Sequence, residues 1–280
     1  MKSSNPVFVR SETFNGRGQN QYGYETYAAN GPYTGYGQPG STRPSGNADP
    51  STWQTGSGVS APARMTIDSV VQKTAITLGL VVLTAALAWA ALPDSLLGMA
   101  WIGGAMIGLL LSLVISFSRT VSPPLVLLYS VAEGAFIGAA SKTFESYYPG
   151  VVVGAVLGTL AAVAGTLAAY KFFNISVTDR FRKFVTAAIF GFVAVSLLDF
   201  VLSFFSADIG FNGLGTMGLI SSVLGLGLGV LMLILDFDYV ERGVAGGAPE
   251  VESWRAAFGL TVTIVWIYIE LLRILAIFRD

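Results

Sequence analysis

The chain has 280 residues, of which 53% are apolar and only 12% charged, with a formal net charge of −1 and a mean hydropathy of +0.64. A soluble domain carries about 25% charged residues, so half that share cannot clothe a water-facing surface and most of the chain must face lipid. The lack of Cys and His excludes disulfides, thiolate nucleophiles, Cys/His zinc sites, Ser-His-Asp triads and haem held by His or Cys; the balanced charge lacks the basic patch of a nucleic-acid binder.

Residues 1–65 hold ten Gly and five of the 11 Tyr, in runs such as GPYTGYGQPG and STRPSGNADPS. Apolar residues there are too sparse to bury a core, which predicts a disordered, solvated cytoplasmic tail. Residues 66–280 form the second unit. No apolar stretch precedes residue 74, so no cleaved secretory signal is expected.

From residue 74 on, apolar runs long enough to cross roughly 30 Å of hydrocarbon recur. Seven spans are predicted, over 74–92, 96–117, 122–141, 150–172, 184–206, 213–238 and 254–278. The fold class is therefore an all-α integral membrane protein with seven transmembrane helices. The short links at Pro93-Asp94 and Ser118-Arg119 make the first three helices antiparallel neighbours, and Pro123 and Pro124 open the third, where a missing N–H costs nothing.

Lys and Arg near the span ends set the orientation. With the N-terminus in the cytoplasm, the inner side receives Arg64, Lys73, Arg119, Lys171, Arg180, Arg182, Lys183, Arg242 and Arg255, and the outer side only Lys142 and Arg279. The C-terminus is then outside.

Carboxylates at membrane depth are costly and mark a pathway or a pair. Glu133 stands mid-way in the third span, in YSVAEGAFIG, with no cation within a turn; it must borrow one from another helix, bind an ion or stay protonated. Asp199 lies in the outer half of the fifth span, where tilting toward the headgroups competes with a role. Asp236 and Asp238 close the sixth, near the inner boundary, where a solvated helix end is the plain alternative. Glu270 is in the seventh span, with Arg273 three residues on, so the two can neutralise each other. From Asp236 to Glu252 the chain holds five acids and one base, Arg242; this is either a solvated loop or a means of concentrating cations at a pore mouth.

Glycines four apart, Gly104 and Gly108, Gly150, Gly154 and Gly158, and Gly225 and Gly229, predict close helix contacts in a compact bundle. Gly213, Gly215 and Gly218 spell G-x-G-x-x-G, but no strand precedes it and no dinucleotide site is expected. No late span carries a Schiff-base lysine for retinal. With no nucleophile–base pair and no cofactor motif, an enzyme is not expected either.

The segment from about residue 74 to 280 resembles the Bax-inhibitor (transmembrane Bax inhibitor motif) family in its bacterial YccA-like branch. The matching pieces are YSVAEGAFIG, LDFDYVERGV and the closing WIYIELLRILAIF. The opening SSNPVF resembles actinobacterial members. The resemblance implies six helices around a central seventh, in the bacterial plasma membrane, acting as a pH-sensitive calcium leak. In the family two aspartates, near the cytoplasmic ends of the last two spans, share a proton and close the pore. Asp236 matches the first, but the second falls on Thr263, which hydrogen-bonds without sharing an ionisable proton. Glu270, two turns along the same face, or a meeting of Glu133 with Glu270, are the alternative acid pairs.

Two functions follow. One is a cation leak or exchanger, with calcium as the transported ion and Glu133, Asp236, Asp238, Thr263 and Glu270 as its oxygen groups. The other, implied by YccA-like relatives, is a non-transporting partner of a membrane-anchored quality-control protease, contacted through the tail.

Overall fold

The computed structural model describes residues 63–279. The tail predicted over 1–65 lies outside the described residues as far as residue 62. Seven helices follow: α1 (Ile67–Ala91), α2 (Leu97–Phe117), α3 (Pro123–Tyr147), α4 (Val151–Phe172), α5 (Asp179–Ser203), α6 (Thr216–Ala245) and α7 (Glu252–Ile277). Each is long and apolar enough to cross a membrane, and the protein is a multi-pass membrane protein. Large side chains such as Val82, Met99, Phe190 and Leu224 stand exposed on the outside of the bundle, the distribution lipid favours.

Local sequence sets the helix ends. Thr66 and Ser69 cap α1 reciprocally, each side chain accepting the other's backbone N–H at 3.1 Å. Pro123 and Pro124 occupy the first turn of α3, as expected. Gly150, at φ 83°, turns the chain into α4, while Glu145 accepts the N–H groups of Gly150 and Val152. Thr178 caps α5 through the Phe181 N–H at 3.2 Å.

Helix α7 is the most enclosed span. Helices α1, α3, α4 and α6 pack directly on it. Helix α2 packs on α3, and α5 on α6. These two reach α7 through side chains: Ile115 shares a cluster with Phe258, and Phe192 stands 5.5 Å from Trp266. This is the predicted arrangement of six helices about a central seventh. Helices α1 and α7 run parallel, joined by Ser69 to Ser253 and Thr77 to Thr261, both at 2.7 Å.

The predicted glycine faces are the crossing points. Gly104 meets the backbone of Phe136, Gly154 meets Leu275 and Gly158 meets Leu271. A Cβ at Gly104 would stand 2.9 Å from Phe136 Cβ and 3.0 Å from its Cα. Since a helix backbone must shift to relieve that contact, Gly104→Val is expected to destabilise the bundle by about 1–3 kcal/mol, read as a lower thermal midpoint in detergent. An unchanged midpoint would mean that α2 can slide on α3.

One junction had no sequence signal. Just ahead of α1, Met65 is 2% exposed, and its N–H donates to Ala248 O while the Glu250 N–H donates to Ala63 O, both at 2.8 Å. The resulting bridge between Arg64 and Pro249 is the only β pairing among the described residues. Lys73 reinforces the junction by pairing with Glu250 at 3.1 Å and lying over the Trp254 ring. The start of α1 is thereby clasped to the α6–α7 link.

Candidate functional site

The site follows from the length of α6. Its 30 residues extend about 45 Å at 1.5 Å each, half as long again as the roughly 30 Å hydrocarbon core. Asp236 lies twenty residues from its start, so the carboxylate stands near the hydrophobic boundary with helix still to run. Across from it, Thr263 Oγ1 donates to Asp236 Oδ2 at 2.6 Å. Gly259, one turn earlier on α7, has no side chain to push the carboxylate away; a Cβ there would stand 3.4 Å from Asp236 Oδ1.

Asp236 opens onto a recess of about 270 Å³ between α2, α6 and α7, lined also by Ile115, Ser116, Tyr239, Arg255 and Phe258. Arg255 stands beside it. Its Nε donates to Glu252 at 2.9 Å, and its Nη2 reaches the carbonyls of Ser118 and Arg119 at 3.3 and 3.2 Å. The guanidinium thus ties α7 to the α2–α3 link at the recess, and Tyr239 donates to the same Glu252 at 3.1 Å. Sequence reasoning counted Arg255 only as an inner-side charge. Its nearness to Asp236 depends on the α6–α7 crossing, which spacing alone does not reveal.

Glu133 lies apart from that recess. It points at α2, where a Cβ on Gly108 would be 2.8 Å from its Oε2, and Tyr129, one turn earlier, is its polar neighbour. No Lys or Arg pairs with it among the described residues. Tyr129 packs edge-on against Phe258 at 5.0 Å and Ser141 bonds Tyr268 at 2.7 Å, so Glu133 is level with residues near 262. Glu270 is eight residues farther along, about 12 Å, and faces α6. The expected meeting of Glu133 with Glu270 is therefore corrected.

Glu270 is held instead by its own helix. Arg273 Nη1 donates to Glu270 Oε2 at 3.1 Å, and the carboxylate rests on Gly225 of α6. The second guanidinium nitrogen donates to Phe211 O at 2.9 Å and reaches Gly213 O and Ser221 Oγ at 3.3 Å. Both partners are buried, at 5% and 9% exposure. The substitution of Glu270 for a second aspartate near Asp236 is corrected with it: the two turns between Thr263 and Glu270 carry it out of reach.

Asp199 is buried, and its carboxylate reaches toward the predicted outer end of the bundle, into the α5–α6 loop. Its carboxylate accepts the backbone N–H groups of Ile209 and Asn212, both at 2.7 Å, so it organises the α5–α6 loop. Asp238 pairs with Arg182 at 3.1 Å and with Arg242 one turn on, which makes it a clamp between α5 and α6. Gly213, in the α5–α6 loop, and Gly218, in the first turn of α6, pack on each other. Among the described residues no three Asp, Glu, His or Cys side chains gather closely enough to hold a metal ion.

The family model described as Bax inhibitor 1 like matches residues 5–280. A curated protein of Chlamydia muridarum (strain MoPn / Nigg), described as an uncharacterized protein, is 28% identical over 157 residues. That alignment covers 54% of this chain and 63% of the relative.

Proposed function

Because the chain belongs to the Bax inhibitor 1 like family, we propose that it is a cation leak or exchanger that carries calcium, controlled at the Asp236 recess. We place it in the YccA-like branch and the actinobacterial subgroup, in a bacterial plasma membrane with its N-terminus in the cytoplasm. The observation that carries the reading is the 2.6 Å bond from Thr263 to Asp236, a carboxylate at the membrane boundary facing a recess.

A hard cation prefers oxygen ligands, and conduction needs a site that attracts an ion without retaining it. One carboxylate, with the Ser116 and Tyr239 hydroxyls in the same recess, meets that description better than a closed cage of acids. Arg255 opposes entry, since its charge stands beside Asp236, the one acid lining the recess among the described residues. Thr263 keeps its bond to Asp236 whether or not the acid is ionised, so there is no shared proton to release. Acidification then acts only by removing the negative charge, and flux falls as pH falls. Glu133 of α3, which faces Gly108 of α2 deeper in the bundle, is the second acid this reading assigns to the path.

The test is calcium flux into liposomes holding the full chain, from acidic to mildly alkaline pH. Asp236→Asn is expected to lower flux about tenfold and flatten its pH response, and Arg255→Gln to raise it severalfold, as one charge at close range warrants. No flux above empty liposomes, from protein shown to be folded, would sink the transport reading. It would favour the second one, a non-transporting partner that restrains a membrane-anchored quality-control protease.

A further inference from the structure

At the end of the bundle where α4 passes into α5, three cations stand without partners among the described residues: Lys171, Arg180 and Lys183. All three are exposed. Beside them are three phenyl rings that no packing requires, Phe172 at 83%, Phe173 at 71% and Phe184 at 66% exposure. Phe172 and Phe173 lie edge to face, 5.3 Å apart. Asn174, at φ 46°, folds the chain back so that the Ile175 N–H bonds Tyr170 O at 3.1 Å. That turn brings the first residues of α5 alongside the end of α4.

The acids beside this turn are already engaged. Asp238 is held by Arg182 and Arg242, Asp179 by Arg182 at 3.5 Å, and Glu241 accepts the Tyr170 hydroxyl at 2.7 Å. Asp238 and Glu241 line a recess of about 360 Å³ behind the turn, with Lys171, Asn174 and Ser176. An anion is therefore met at the rim, by the unpaired cations, and not within the recess. Five cations face three carboxylates, a surplus of two positive charges, and because a tyrosine hydroxyl and not a cation engages Glu241, three of the cations are left exposed and unpaired.

We propose that this rim binds the headgroups of anionic phospholipids. Phe172, Phe173 and Phe184 enter the boundary between headgroups and chains, while Lys171, Arg180 and Lys183 meet phosphates, the division of labour of a basic-aromatic interfacial surface. Charge complementarity selects the occupant: a span end in contact with lipid, with surplus positive charge, faces phosphate as its nearest anion. The surface is separate from the Asp236 recess and independent of whether ions pass there.

The full chain, purified in detergent, is titrated with mixed micelles of phosphatidylglycerol or phosphatidylcholine while its thermal midpoint is read. Phosphatidylglycerol is expected to raise the midpoint at a concentration on the order of 100-fold lower for the parent than for Lys171→Gln/Arg180→Gln/Lys183→Gln, about fivefold per cation. Lys171→Arg/Lys183→Arg keeps the parent's response, and so does Lys142→Gln at the opposite end. In the parent, added salt weakens the preference, a readout that stands even if the triple variant does not fold. Equal responses to the two lipids, or an unaltered preference in the folded triple variant, overturn the proposal. Loss of the effect on adding inorganic phosphate at matched ionic strength marks a free-anion site and overturns the lipid assignment.

Discussion

Arg273→Met is expected to destabilise the bundle by about 3–5 kcal/mol, because it leaves the Glu270 carboxylate buried without its cation. Glu270 keeps only 5% of its surface exposed and rests against Gly225, where no side chain could move to admit water. The same substitution withdraws a donor from Phe211 O, Gly213 O and Ser221 Oγ, so the loop between α5 and α6 loses its tie to α7. The double variant Glu270→Gln/Arg273→Met is expected to recover most of the loss, since the penalty lies chiefly in the abandoned charge. Arg182→Gln is the comparison. Its pair with Asp238 is more exposed, and Arg242 still serves the acid, so a change of about 1 kcal/mol or less is expected. Thermal or denaturant midpoints in detergent decide the matter, and equal shifts for Arg273→Met and Arg182→Gln would refute the argument.

The same residues show what a sequence can reveal about this molecule. All seven spans were legible because lipid demands unbroken apolar runs, yet several ends were not. Hydropathy begins the fifth span at 184, whereas α5 starts at Asp179, since Thr178 caps it and DRFRK is helical despite its charge. For the same reason α3 continues through polar residues to Tyr147 and α6 to Ala245. The Asp236–Thr263 contact was legible by counting along a resembling motif. Which acids meet across helices was not, because rotation of each helix about its axis decides it: Glu133 turns to α2 and Glu270 to α6. The clasp of Arg64 on Pro249 had no signal at all, being made by backbone groups common to every residue.

Installing an acid at residue 263 should convert a simple attraction into a switch. Thr263 is 2% exposed and its hydroxyl already lies 2.6 Å from the Asp236 carboxylate, so in Thr263→Asp a second carboxyl faces the first at hydrogen-bonding range. Two carboxylates that close cannot both ionise without cost, and they hold one proton between them. When that proton leaves, like charges roughly 4 Å apart repel by about 4 kcal/mol at an effective dielectric constant near 20. Relief comes by parting α6 from α7 at the recess. The variant is therefore expected to show a steep rise in calcium flux over a narrow range of increasing pH, where the parent rises gradually. Its thermal midpoint should fall across that same range while the parent's does not. Thr263→Asn places a similar shape there without a titrating proton and should show neither effect. Should Thr263→Asp and Thr263→Asn behave alike in both flux and midpoint, Asp236 is not positioned to control the passage of ions, and the transport reading loses the contact on which it rests.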